Sequence, residues 1–386
     1  MSRVGRICGG LILVCVFLPA VYASDNTASS IEFSGYYKTL LANSRTLALF
    51  PPQQAYTVDL NRVRLIVRGD LGETASFNVQ YDNEVFLGDY LTTNQFLAQK
   101  NLPTDNYLNL RQTYLDTDSV FARHGLYRAF VNTRVSQVDL RIGRQRIAWG
   151  SGLFWSPVDI INPFDPTQIE REERRGVDAV VADWDYGDLS RLSLVYAVHA
   201  PPVRATTAAR WRTNWAGFDT GITAGRFRDD DMAGFDFTGQ WGPVGLRGEW
   251  TRTSSPLDGS YQRVVFSADY TLPNTLSMIA ELYYNGQGKT DPAFYQFTRL
   301  FNGEIQNLAQ RYLGAMVGYD FTPLWKWRNY YIRNLDDGSE FLYTRLVYSA
   351  TENAEWSGGA QLFAGGTGTE YGTFENITLL QVQWFF

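Results

Sequence analysis

Residues 62–68 read Arg-Val-Arg-Leu-Ile-Val-Arg, so Val63, Leu65 and Val67 share one face of an extended chain. Arg62, Arg64 and Arg68 fall on the other face. The same period-two pattern returns along the chain. Ala75, Phe77, Val79 and Tyr81 alternate with Ser76, Asn78, Gln80 and Asp82. Val244, Leu246, Gly248 and Trp250 alternate with Gly245, Arg247, Glu249 and Thr251, and Leu276, Met278, Ala280, Leu282 and Tyr284 repeat the design. A chain of many such strands must close a sheet on itself or stack two sheets.

The amino terminus narrows that choice. Arg3 and Arg6 precede the apolar run Leu11–Leu18, and Val21-Tyr22-Ala23 offers small residues where a signal peptidase reads. Cleavage is expected after Ala23, giving a leader over 1–23 and an exported chain over 24–386. Cys8 and Cys15 leave with the leader, so the mature chain has no disulfide or cysteine metal site. His124 and His199 are the only histidines and lie far apart, which argues against a metal centre.

Removing the two leader arginines takes the formal charge from −6 to −8, which argues against nucleic-acid binding. After residue 23 no apolar run approaches the roughly 18 residues of a membrane helix. Yet the chain carries 23 Tyr, 24 Phe and 11 Trp. Aromatic residues near the ends of alternating strands fit the girdles of a transmembrane β-barrel.

The connections agree with that reading. Tight turns at Gly69–Gly72, Tyr186-Gly187-Asp188, Gly242-Pro243, Leu272-Pro273-Asn274, Thr322-Pro323 and Glu352-Asn353 alternate with longer segments at 42–55, 87–106, 149–175, 287–310 and 366–374. Short turns at one end and long loops at the other define an antiparallel up-and-down barrel in an outer membrane. About 18 strands are expected, with 16 as the alternative, when Ser119–Thr133 is read as a periplasmic segment. The final strand, Leu379-Leu380-Gln381-Val382-Gln383-Trp384-Phe385-Phe386, is expected to pair with the first, around Ile31–Leu41, because a bilayer tolerates no open edge. With Trp384 and the terminal Phe386 pointing outward, it resembles the signal read by the barrel assembly machinery of bacterial outer membranes.

Function then belongs to the lumen. Arg62, Arg64, Arg68, Asp139, Arg141, Arg247 and Glu249 are expected to point inward, and the 149–175 loop to fold into the barrel as a constriction. The loop's mixed charges, Glu170, Arg171, Glu172, Glu173, Arg174 and Arg175, suit ion pairing to the wall. Two readings of the inward arginines stand open: a transverse field acting on solutes, or a tether for the loop that also satisfies Asp139 and Glu249. Gly143-Arg144-Gln145, Trp149-Gly150, Asn162-Pro163 and Asp165 together resemble an element of porin-like outer-membrane barrels, including alginate-export-like ones. That resemblance implies a solute channel without naming the solute.

Asp291-Pro292 followed by Phe294, Phe297, Leu300, Phe301, Ile305 and Leu308 predicts a short helix in the 287–310 loop. Gly365–Thr369 reads as a flexible loop and Asp229–Asp231 as a solvated loop tip. No nucleophile motif surrounds His199, although Ser193 and Arg191 lie on its face, so no enzyme is expected. The reading is a passive channel for small polar solutes, anionic ones preferred, with no cofactor. Its partners are outer-membrane lipid and the assembly machinery, with a homo-oligomer as a further association. The alternative is a sheath around a secreted multihaem cytochrome.

Overall fold

The alternating runs become strands of a single antiparallel sheet in a computed structural model that describes residues 30–100, 106–163, 166–170, 174, 176–200 and 204–386. The first nine strands are β1 (Ile31–Arg45), β2 (Ala55–Asp70), β3 (Ala75–Leu87), β4 (Arg111–Asp116), β5 (Val120–Val135), β6 (Val138–Gln145), β7 (Val177–Asp185), β8 (Arg191–His199) and β9 (Arg204–Trp215). They continue as β10 (Phe218–Phe227), β11 (Asp230–Trp241), β12 (Val244–Ser255), β13 (Gly259–Thr271), β14 (Ser277–Asn285), β15 (Arg311–Asp320), β16 (Trp325–Asn334), β17 (Glu340–Thr351), β18 (Ala354–Ala364) and β19 (Ile377–Phe385). The leader expected over 1–23 lies outside the described residues.

β19 pairs back onto β1, from Tyr36 opposite Phe385 to Asn43 opposite Thr378, and the sheet closes. Reciprocal bonds between Gly35 and Phe386, at 2.8 and 3.0 Å, carry the ladder to the last residue. Eighteen strands form the wall, as the even count required for both chain ends at the short-turn rim. One expectation is corrected. Ser119–Thr133 is no periplasmic segment: Val120–Val135 is a wall strand of 16 residues, paired with β3 along its length and with β6 over its lower half. The total stays even because β4, six residues long, pairs only with the upper part of β5.

Alternation places the apolar side chains outward. Phe33, Leu65, Ile142, Leu194, Ile222, Phe266, Leu282 and Leu380 are all exposed. Trp184, Trp215, Trp241, Trp325, Trp356 and Trp384 ring the short-turn end. A water-soluble chain would hide such a belt. Inside, polar side chains are buried instead, among them Glu249, Thr251, Ser267, Glu281 and Asn334.

The interior also holds apolar clusters, and these pack the segment after β6 against the wall. Phe154 and Trp155 join Tyr283, Tyr312, Ile332 and Phe341. Ile147, Trp149, Val158 and Ile161 join Val181, Val195, Ala208, Phe227 and Met232. The helical spacing after Asp291 is realised only as a 3-10 turn (Pro292–Phe294), capped by the Asp291 side chain, and a five-residue helix (Phe297–Phe301). Ile305 and Leu308 lie beyond it, buried in irregular chain.

Candidate functional site

The chain leaves the wall at Gln145 and returns at Val177, and between them it reaches strands far from its own hairpin. Glu249 on β12 accepts the backbone amides of Ser151 (2.5 Å), Gly152 (2.6 Å) and Val158 (3.0 Å) together with the Ser156 hydroxyl. Glu281 on β14 accepts those of Leu153, Phe154 and Trp155 at 2.8–2.9 Å. Successive amides converging on a carboxylate form an anion-holding concavity, here filled by the protein's own acids. Gly150 is required for the wrap: its φ is +90°, and a Cβ there would stand 2.6 Å from Glu249 Oε1.

Further along, Thr167 accepts a bond from Gln361 on β18 (2.8 Å). Glu170 then meets the opposite wall. Its carboxylate accepts Lys38 Nζ on β1 at 2.7 Å and both Arg62 Nη atoms on β2 at 2.9 and 3.0 Å. Arg62 also donates to Glu84 on β3 (2.8 Å), whose other oxygen accepts Arg123 on β5 (2.6 Å). Beside this chain of charges, Arg64 pairs with Asp82 through two 2.6 Å bonds, and its Cζ stands over the Tyr127 ring, 3.6 Å from the centroid. The loop is closed internally by Arg174 with Asp159 (3.0 Å) and by Asn162, which accepts the Ile147 amide (3.0 Å).

Burial raises the Glu170 carboxyl, but the Arg62 and Lys38 charges outweigh it and hold it below the usual carboxylate range. Asp159 behaves oppositely: burial pushes it up to about 7 despite Arg174.

Of the residues expected at the lumen, Arg62, Arg64, Glu170 and Arg174 come together around one cavity of about 770 Å³. It lies between the loop and the wall of β1, β2, β3 and β5. Its lining also includes the apolar Leu40, Val58, Leu60 and Phe86, with Arg123 over the Phe86 ring. Arg68, Asp139, Arg141 and Arg247 stand elsewhere, toward the short-turn end. Arg68 is exposed, Asp139 pairs with Arg134 (3.3 Å), Arg141 bonds Asn132 (2.8 Å) and Arg247 pairs with Asp269 (2.7 Å). Glu249 is satisfied by loop amides and not by an arginine. Arg171 and Glu173 lie outside the described residues.

Sequence reasoning missed Lys38, Asp82, Glu84, Arg123 and Glu281. The inward parity of β1, β3 and β14 carries a signal for all but Arg123, where a bulge opposite Gln80/Tyr81 breaks the register. His124 is also moved, from the expected periplasmic side to the upper half of β5 between the rings of Tyr81 and Tyr114. His199 is buried against Thr206 at 3.0 Å. Arg204 and Arg226 pair with Asp229 and Asp231 at the acidic tip. The Gly365–Thr369 loop is folded: Thr369 bonds back to Gly366 (2.7 Å), and the following Glu370 is buried.

An eighteen-stranded antiparallel barrel with a long internal loop defines the porin type of fold, and comparison with known proteins agrees. A family model described as "Protein of unknown function (DUF1302)" matches residues 60–209. No curated protein matches the chain. Among solved structures, OccAB2 of Acinetobacter baumannii is similar at TM-score 0.59 and 11% identity, covering 93% of this chain and 98% of that one. OccK8 (OprE) of Pseudomonas aeruginosa reaches 0.57 at 12%, covering 92% and 98%. The outer membrane protein OpdK of the same organism reaches 0.56 at 10%, also covering 92% and 98%. The likeness is one of fold.

Proposed function

We propose that the chain is an outer-membrane channel through which small polar solutes pass passively, with the loop after β6 as its constriction. The exposed apolar belt and tryptophan ring support insertion in a bilayer, where only a closed barrel satisfies every strand's backbone. The leader over 1–23 would direct export, and the terminal Trp384 and Phe386 would present the chain to the assembly machinery.

The cavity between the loop and β1–β5 carries this reading. It is lined by Arg62, Arg64, Arg111, Arg123, Arg144 and Arg174 against Asp82, Glu84 and Glu170, six cations to three carboxylates, of which Arg144 and Arg174 also pair with Asp178 and Asp159 behind the lining. Facing charges of this kind orient a polar solute, and the small excess of positive charge favours anions. The two readings of the arginines merge, since Arg62 both ties the loop through Glu170 and faces the path. A loop crossing the lumen to β12, β14 and β18 leaves little room for a cytochrome, which weighs against the sheath.

The test is conductance of the folded protein in planar bilayers under a salt gradient. Discrete steps with a reversal potential of anion-selective sign are expected. Folded, heat-modifiable protein without conductance would overturn the channel.

A further inference from the structure

The wall is notched beside this cavity. β6 has 8 residues, against 16 for β5. A tilted strand needs about 9–11 residues to cross a bilayer. β6 pairs with β5 only from Ala129 to Val135, so the upper half of β5 has no β6 beside it. The opening is covered by residues 106–116. Arg111–Asp116 pairs with Phe121–Gly125 of β5, and among the described residues β4 has no second strand partner.

On its other side, among the described residues, the cover meets the wall at Asn106 and at Leu108. Asn106 makes an isolated antiparallel bridge with His199, and the Leu108 peptide is clamped by an ion pair. Asp178 accepts the Leu108 amide (2.8 Å), Arg144 donates to the Leu108 carbonyl, and the two side chains pair at 2.9 Å. Outward, the cover shows Tyr107, Leu108, Tyr114 and Leu115, all exposed. Inward, Leu110, Arg111 and Arg144 line the cavity itself. At this place one thin segment separates an internal cavity from the outer face of the barrel, in a position where neighbouring strands elsewhere share continuous ladders.

We infer that residues 106–116 form a lateral gate, through which single-chain amphiphiles with an anionic head pass between the cavity and the membrane. This deepens the channel reading and rests on it. The cavity suits such a molecule, with cations for the head and Leu40, Val58, Leu60 and Phe86 for the tail. Among the described contacts on that side, opening breaks the Leu108 clamp and the Asn106–His199 bridge, where parting two wall strands breaks a continuous ladder such as that of β6 with β7.

The gate is tested by locking it. Antiparallel bridge partners lie at a Cα separation that a disulfide spans, and the chain's cysteines are confined to positions 8 and 15. Full-length Asn106→Cys/His199→Cys protein is expressed in Gram-negative cells lacking their own long-chain fatty acid channel. Uptake of palmitoleate is compared with that of butyrate. Oxidation should drop palmitoleate uptake to the level of cells without the protein and leave butyrate entry in place, and a reductant should restore it. Arg144→Met and Asp178→Asn, which remove the clamp, should raise palmitoleate uptake and keep the inference testable if the double cysteine variant fails to fold. Palmitoleate uptake unchanged by both lock and clamp removal, or absent with the native protein, overturns the gate. Loss of conductance and butyrate entry in the native protein would instead overturn the channel.

Discussion

Glu281 accepts the backbone amide of Trp155 at 2.8 Å, and Tyr283, next on the same inner face of β14, stacks on the Trp155 indole with 5.1 Å between centroids. One strand thus fixes both the backbone and the side chain of a residue contributed from across the lumen. Removing the carboxylate strands the buried amides of Phe154 and Trp155, each costing roughly 1–3 kcal/mol, and the half-buried one of Leu153. Glu281→Ala should loosen the loop. Single-channel conductance should rise and grow noisier, while the barrel still shows its folded band on unheated gels. Unchanged conductance would mean that the loop does not limit flow.

Selectivity should follow the Glu170 node. Glu170→Gln leaves Lys38 and Arg62 less compensated, so the reversal potential should move several-fold toward anions. Arg62→Ala leaves Glu84 and Glu170 facing each other's charge and should move it the other way. Arg141→Ala, outside the cluster, should change little.

A pH dependence is expected from the loop before β19. Burial pushes the Glu370 carboxyl up to about 7, against hydrogen bonds from Tyr312 (2.6 Å), the Leu308 amide and Asn334. The folded protein therefore keeps a proton that the unfolded chain releases near the ordinary glutamate value of about 4.3. This stabilisation is complete below that value and is lost as pH rises through about 7. Thermal midpoints in detergent should fall between pH 5 and pH 8, and Glu370→Gln, which mimics the protonated acid, should show a smaller fall.

Closure depends on the last residue. Phe386 exchanges two backbone bonds with Gly35, and its ring lies 5.5 Å from that of Trp384. Deleting Phe386 should lower the yield of heat-modifiable barrel in the outer membrane. Phe386→Tyr should retain most of it.

The wall was largely legible in the sequence because a face that meets lipid must be apolar at every second residue. That rule holds for β2, β12, β14 and β19. It failed at β5, where Ala122 and His124 blur the outward face and the bulge opposite Gln80/Tyr81 interrupts the period. Inward parity also pointed to Arg62 and Arg64. What it leaves open is partner choice: nothing local tells that Glu170 meets Lys38, 132 residues away, or that Glu281 serves loop amides. Glu370 was hidden by its neighbours, since a glycine-rich run gives no sign that the next side chain is buried.

The loop's anchors also set an order of events during folding. Ser151 and Leu153 are held by acids 98 and 128 residues downstream, and Thr167 by Gln361, 194 residues away. Contacts so distant in sequence form slowly and late. The segment between β6 and β7 is therefore seated only once β12, β14 and β18 stand in the wall, and the barrel reaches its final bore after its wall is assembled.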